Sequence, residues 1–143
     1  MQAQVVTGDI DPFIGTGGHG HSHPSASMPF GMVQLGPDSR LEGWDGCSGY
    51  HYSDSTLYGF SHTHLSGTGV ADYNDIQFRP HLMGEDLSQP SPFIKSSESS
   101  AAGFYAVTLS NGIQVSLTAS ERMGLQKIQS PKGQRALVQL DLS

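Results

Sequence analysis

The chain has 143 residues, enough for one domain with a real core, and 36% of them are hydrophobic before its 18 glycines are counted. Seven Lys and Arg stand against thirteen Asp and Glu, for a net charge of −6, and the cations form no cluster. That balance argues against a nucleic-acid partner, because affinity for a phosphate backbone comes from cations that displace counterions. No apolar run approaches the roughly 18 residues that span a bilayer, and a single Cys excludes an internal disulfide.

In chain order, Met1-Gln-Ala-Gln lacks the basic and apolar regions of a signal peptide and resembles the mature end left when one is removed. Residues 5–18 read as a β-branched strand end passing through Asp11-Pro12 into a tight loop at Gly15, Gly17 and Gly18. The loop then carries His19, His21 and His23. On an extended segment that spacing puts three imidazoles on one face, a metal-ligand arrangement; Gly20 and Pro24 interrupt the strand it requires, which favours a polar loop, structural or substrate-facing.

Met32, Val33 and Leu35 predict a short strand bounded by turns at Pro29-Phe-Gly31 and Gly36-Pro37. Residues 57–60 and 76–80 alternate as half-buried strands do. Residues 84–101, rich in Ser, Pro, Asp and Glu, predict a long exposed connection. Gly103 to Leu109, the turn Ser110-Asn-Gly112, and Ile113 to Ala119 predict an antiparallel hairpin, and residues 136–142 a further strand. No window of a dozen residues has a 3.6 period. The expected class is therefore mainly β, an antiparallel β-sandwich, with a chain that ends at Asp141-Leu-Ser143 as if mid-sheet.

Residues 43–69 concentrate the unusual side chains: the only Trp (Trp44), the only Cys (Cys47), and His51, His62 and His64, among several glycines. Asp45, Asp54, Asp72 and Asp75 could supply a carboxylate pair for acid–base work, but nothing in their spacing selects two of them. Cys47 reads as a buried small residue or a pocket wall. Trp44 lies between Gly43 and Gly46 without strand-like apolar neighbours, which favours a binding surface over a core position. His62 and His64 share a face if their segment is extended, and each can be either a satisfied structural His or a pocket group.

Five stretches, taken together, carry a resemblance: Asp-Pro-Phe-Ile-Gly-Thr-Gly-Gly-His-Gly-His (11–21), Pro-Phe-Gly-Met-Val-Gln-Leu-Gly-Pro-Asp (29–38), Gly-Trp-Asp-Gly-Cys-Ser-Gly-Tyr-His-Tyr (43–52), Gly-Phe-Ser-His-Thr-His-Leu-Ser-Gly-Thr-Gly (59–69) and Gly-Phe-Tyr-Ala-Val-Thr-Leu (103–109). Over residues 9 to about 125 the chain resembles the N-terminal region of glycoside hydrolase family 92, calcium-dependent, inverting, exo-acting α-mannosidases of bacteria that degrade N-glycans. The match fades at 122–130, and residues 68–75 depart from the common pattern; both bear on substrate preference.

The resemblance implies that residues 1–143 are part of an N-terminal β-sandwich domain. A downstream (α/α)6 domain, absent from this chain, would hold the calcium and the catalytic carboxylates; the family's general acid and base have no counterpart here. The implied partners are mannose-containing glycans and that catalytic domain, the implied location periplasmic or secreted. Trp44 is implied at the leaving-group subsite, with Gly43, Asp45, Cys47, His62, His64, Gly18 and His19 as companions in binding. Two other readings stand beside this one: a stand-alone carbohydrate-binding β-sandwich module, and a metal protein built on His19, His21, His23, His62 and His64.

Overall fold

The computed structural model describes residues 10–72 and 74–142. The strand end expected over residues 5–9 lies outside them. Among the described residues eleven strands form two layers and a small flap. β1 (Ala26–Ser27), β2 (Gln34–Asp38), β4 (Gly59–Ser61), β5 (Gln77–Leu82) and β11 (Ala136–Asp141) make a five-stranded antiparallel sheet in the order β1-β2-β4-β5-β11. β7 (Ser99–Ala101), β8 (Phe104–Thr108), β9 (Gln114–Ala119) and β10 (Gly124–Gln129) form the opposing sheet, ordered β10-β9-β8-β7. β3 (Thr56–Leu57) pairs with β6 (Ser91–Pro92) beside them. Among the described residues there is no α-helix, so the antiparallel β-sandwich is as expected.

The β8–β9 hairpin shows how the sequence builds a layer. Val107 faces Val115 and Tyr105 faces Leu117, and all four are buried because the period of 2 sends every second side chain inward. At the turn, Asn111 Oδ1 accepts from the Ile113 amide at 3.1 Å and the Gly112 amide donates to the Leu109 carbonyl at 2.9 Å. From the other sheet, Leu35 and Phe60 join this core. Each such side chain removed from water is worth about 1.5–3 kcal/mol before entropy is counted.

Four expectations are revised. The strand expected at 32–35 starts two residues later and runs through Gly36-Pro37 to Asp38. A Cβ at Gly36 would stand 1.8 Å from Ser25 Oγ, so the glycine makes room for the side chain that precedes the neighbouring strand β1 instead of ending β2. Residues 57–60 split at Tyr58 into strands of different sheets, Tyr58 donating its amide to the Asp38 carbonyl at 2.7 Å. The 84–101 segment is no loose connection: it contains β6, a 3-10 turn at Lys95–Ser97 and β7, with Phe93 buried and the Glu98 side chain only 3% exposed. β10 was not expected; its Leu, Gln and Lys residues alternate too weakly to be read, and it exists because the Ser120–Met123 turn returns the chain along β9.

The outer face of the five-stranded sheet positions the candidate site. Asp38, Gly59, Ser61, Gln77 and Arg79 lie on it by strand alternation, and the four with side chains are all buried. A polar face can be buried only if something polar covers it. Loops do so here.

Candidate sugar-binding face

Three loops meet over the Asp38–Ser61 part of that face, at residues 14–23, 43–52 and 62–72, while Arg79 is engaged by Asp141 and the Gln89 carbonyl. Backbone and side-chain bonds tie the first two together: the Gly46 amide donates to the Gly20 carbonyl at 3.3 Å, Ser48 Oγ to the Ser22 carbonyl at 2.8 Å, and the Tyr52 amide to the Thr16 carbonyl at 2.8 Å. His51 Nε2 donates to the Gly18 carbonyl at 3.0 Å while its Nδ1 accepts from Ser53. The third loop joins through the Gly67 amide, 2.7 Å from the His21 carbonyl.

Trp44 sits where the three loops meet. Its indole is 62% exposed, unusual for the largest apolar side chain of a domain that has a core to fill. Two neighbours hold it: the His21 ring meets it edge-on at 4.7 Å between centroids, and the Gly69 backbone lies so close that a Cβ there would stand 2.5 Å from indole Cζ3. Each of the flanking loops thus supplies one brace.

Asp45, next in sequence, accepts from His19 Nδ1 at 2.8 Å. That hydrogen bond, and then the opposite charge, raise the His19 pKa above its ordinary value, and the same bond holds the Asp45 carboxyl below its own. The pair faces solvent, with the His19 side chain 88% exposed, so it is available to a ligand and contributes little to stability.

Beneath these groups Arg40 makes a forked contact to Asp54, Nη2 to Oδ1 and Nε to Oδ2 both at 3.0 Å, and reaches with Nη1 to the Asp45 carbonyl at 3.1 Å. Ser39 completes the clamp, donating to Asp54 Oδ2 at 2.8 Å and accepting from the His51 amide at 2.9 Å. The backbone after Trp44 is therefore fixed from below by a guanidinium that cannot lose its charge.

The structure brings Gly18, His19, Gly43, Trp44 and Asp45 together at the surface. Cys47 and His64 belong to the same loops but are buried under them. His62 turns to the opposite face, its ring 5.3 Å from that of Phe78 and against Gly124 of β10, where burial lowers its pKa. His21, Arg40, Asp54 and Gly69 contact or brace the same cluster; the sequence offers His21 only as a loop histidine and Asp54 only as one of four carboxylates, and does not single out Arg40 or Gly69, because the contacts that place them are between loops far apart in the chain. The five histidines of the metal reading do not converge, and no group of three or more His, Cys, Asp or Glu among the described residues could hold a metal ion. These residues do not form a calcium site, and the calcium that the family resemblance implies is expected in the downstream domain.

Residues 9–143 match the family described as Glycosyl hydrolase family 92 N-terminal domain. A protein described as an uncharacterized secreted glycosidase, from Arthroderma benhamiae, is 30% identical over 132 residues, which are 85% of this chain and 17% of that protein. A family GH92 α-mannosidase from Bacteroides thetaiotaomicron, solved in complex with mannoimidazole, is 34% identical with a TM-score of 0.90, covering 97% of this chain and 20% of that one. A family GH92 inverting mannosidase from the same organism is 28% identical with a TM-score of 0.73, over 86% of this chain and 17% of that one. The chain spans a fifth or less of the length of each of these relatives.

Proposed function

This chain belongs to glycosyl hydrolase family 92 as its N-terminal domain, and from that premise we propose that it forms the leaving-group wall of an α-mannosidase active site. The observation that carries the reading is the exposed Trp44 indole, braced by one residue from each neighbouring loop. An indole is a broad apolar surface with a polar edge. It suits the C–H face of a pyranose, while the nearby Asp45–His19 pair can hydrogen-bond ring hydroxyls.

The chemistry belongs to another part of the longer protein. Inversion at an anomeric carbon needs two carboxyl groups about 6.5–9.5 Å apart, one to protonate the leaving oxygen and one to activate water. The Asp45 and Asp54 carboxylates are engaged by His19 and by Arg40 respectively, which suits positioning more than proton transfer. In this reading a calcium-bearing (α/α)6 domain supplies acid, base and metal, the substrate is an α-1,2-linked mannose of an N-glycan, and the enzyme is secreted or periplasmic, as the description of the Arthroderma relative suggests for that protein.

The test is hydrolysis of α-linked mannobiose by the longer protein, with and without a calcium chelator, following the first-formed anomer by NMR. Release of β-mannose that stops on chelation, with no turnover by the 143-residue chain alone, is the expected result. Equal turnover by the chain alone, or first-formed α-mannose, overturns the reading.

A further inference from the structure

Under the Trp44 face lies a pair of ionisable groups that the sugar-binding reading does not use. His64 Nε2 is 2.8 Å from Asp38 Oδ1 and His64 Nδ1 is 2.8 Å from the Gln34 carbonyl, and both side chains are fully buried. A carbonyl and a carboxylate only accept, so both ring nitrogens must donate. Ser61 Oγ donates to the same Asp38 oxygen at 2.7 Å. Both acceptors belong to β2, so a charged imidazole rivets the third loop to the sheet five residues before Gly69. The ring also supports the second loop: a Cβ at Gly49 would stand 2.9 Å from His64 Cδ2, and the Gly49 carbonyl accepts from the Ser39 and Arg40 amides at 2.7 and 3.1 Å.

We propose that the Asp38–His64 pair is a positioning element of the Trp44 face, holding Gly69 and the Gly49 turn in register only while the imidazole keeps both protons. With one proton fewer, the ring can serve the Gln34 carbonyl or the Asp38 carboxylate but not both. The other is left buried without its partner, which is costly enough to move a loop. The titratable groups facing His64 are Asp38 from β2 and His23 from the first loop, its ring 5.2 Å away; His62, two residues before it, points to the opposite face and is coupled to it only through charge. Burial alone pulls the His64 pKa down. The bond and charge of Asp38, with the backbone carbonyls, more than offset that and leave it above 6.5. The rivet is therefore fully in place below about 6.5 and is lost as pH rises through the higher folded-state value.

This role rests on Trp44 being the sugar-facing surface, but its test needs no sugar. Trp44 is the only tryptophan of the chain, so its anisotropy and acrylamide quenching report the face directly. In the 143-residue chain, quenching should rise by about twofold or more as pH is raised from about 6.5 through the His64 titration, with the far-ultraviolet β signal unchanged. In Asp38→Asn and in His64→Gln that pH dependence should vanish. If either variant fails to fold, the wild-type titration still decides, read beside the two His64 ring N–H resonances, one of which must disappear with the change in Trp44. A Trp44 signal flat across the range, or a pH dependence that persists in a folded His64→Gln, overturns the proposal; variants that lower melting temperature without touching the Trp44 titration show a merely structural role. Loss of mannoside binding with this titration intact would count against the sugar-binding reading alone.

Discussion

The indole of Trp44 lies directly over the backbone of Gly69, 25 residues further along the chain, with only the width of a missing methyl between them: a Cβ at Gly69 would stand 2.5 Å from Cζ3 and 2.7 Å from Cη2. Gly69 also has φ near +75°, a conformation that costs any other residue. Gly69→Ala should therefore do two things at once. It should destabilise the chain by about 1 kcal/mol, and it should push the indole off its seat, lowering kcat/KM of the longer enzyme on mannobiose by roughly tenfold or more. Urea unfolding and steady-state kinetics separate the two effects.

Glu98 ties the site to the opposing sheet. Its carboxylate accepts from the Tyr50 hydroxyl at 2.9 Å and the Tyr105 hydroxyl at 2.7 Å, and pairs with Lys95 at 2.6 Å. Burial first, and then the Glu98 charge, push the hydroxyl pKa of both tyrosines well above the ordinary value, so both remain donors. Glu98→Ala leaves two buried tyrosine hydroxyls without their acceptor and the Lys95 ammonium without its counter-ion, and should cost about 3 kcal/mol in urea unfolding. Glu98→Gln, which can still accept, should cost clearly less.

The Arg40–Asp54 clamp acts on geometry more than on net charge. Arg40→Ala should lose about 1–2 kcal/mol and increase acrylamide quenching of Trp44, because the Asp45 carbonyl loses its donor. Arg40→Lys keeps the charge but not the fork, so it should recover less than half of either effect.

His23 sets an acid limit. Burial, and then the neighbouring His64 charge, lower its pKa from 6.5 to about 3. The folded chain thus refuses a proton that the unfolded chain accepts, and stability is lost as pH falls from about 6.5 toward 3, by an amount on the order of a few kcal/mol. His64 contributes fully throughout that range, so it does not cancel the loss. Urea unfolding at neutral pH and near pH 4 should show the decline in the wild-type chain and a much smaller one in His23→Gln.

The hairpin and the class were legible because Tyr105, Val107, Val115 and Leu117 repeat with period 2 and bury on one side. Segment 84–101 carries no such signal: with one buried aromatic and one buried Glu side chain, it is held by polar bonds to Tyr50 and Tyr105 and shows no period. In the site, Trp44 was legible as an oddity, a lone Trp among glycines. The parts that hold it, His21, Arg40, Asp54 and Gly69, come from loops joined only in three dimensions, and the expectation that His62 and His64 share a face did not anticipate that the chain turns between them, sending one ring toward β10 and the other onto Asp38.

Whether Trp44 stacks on sugar is decided by kcat/KM of the longer enzyme on α-linked mannobiose after Trp44→Ala and Trp44→Phe. Because the indole is exposed, neither change should lower the melting temperature by more than a few degrees. A sugar-stacking indole predicts a loss of roughly 10–100-fold for Ala with partial recovery for Phe, which keeps an aromatic face. A Trp44→Ala enzyme within about twofold of wild type would contradict it.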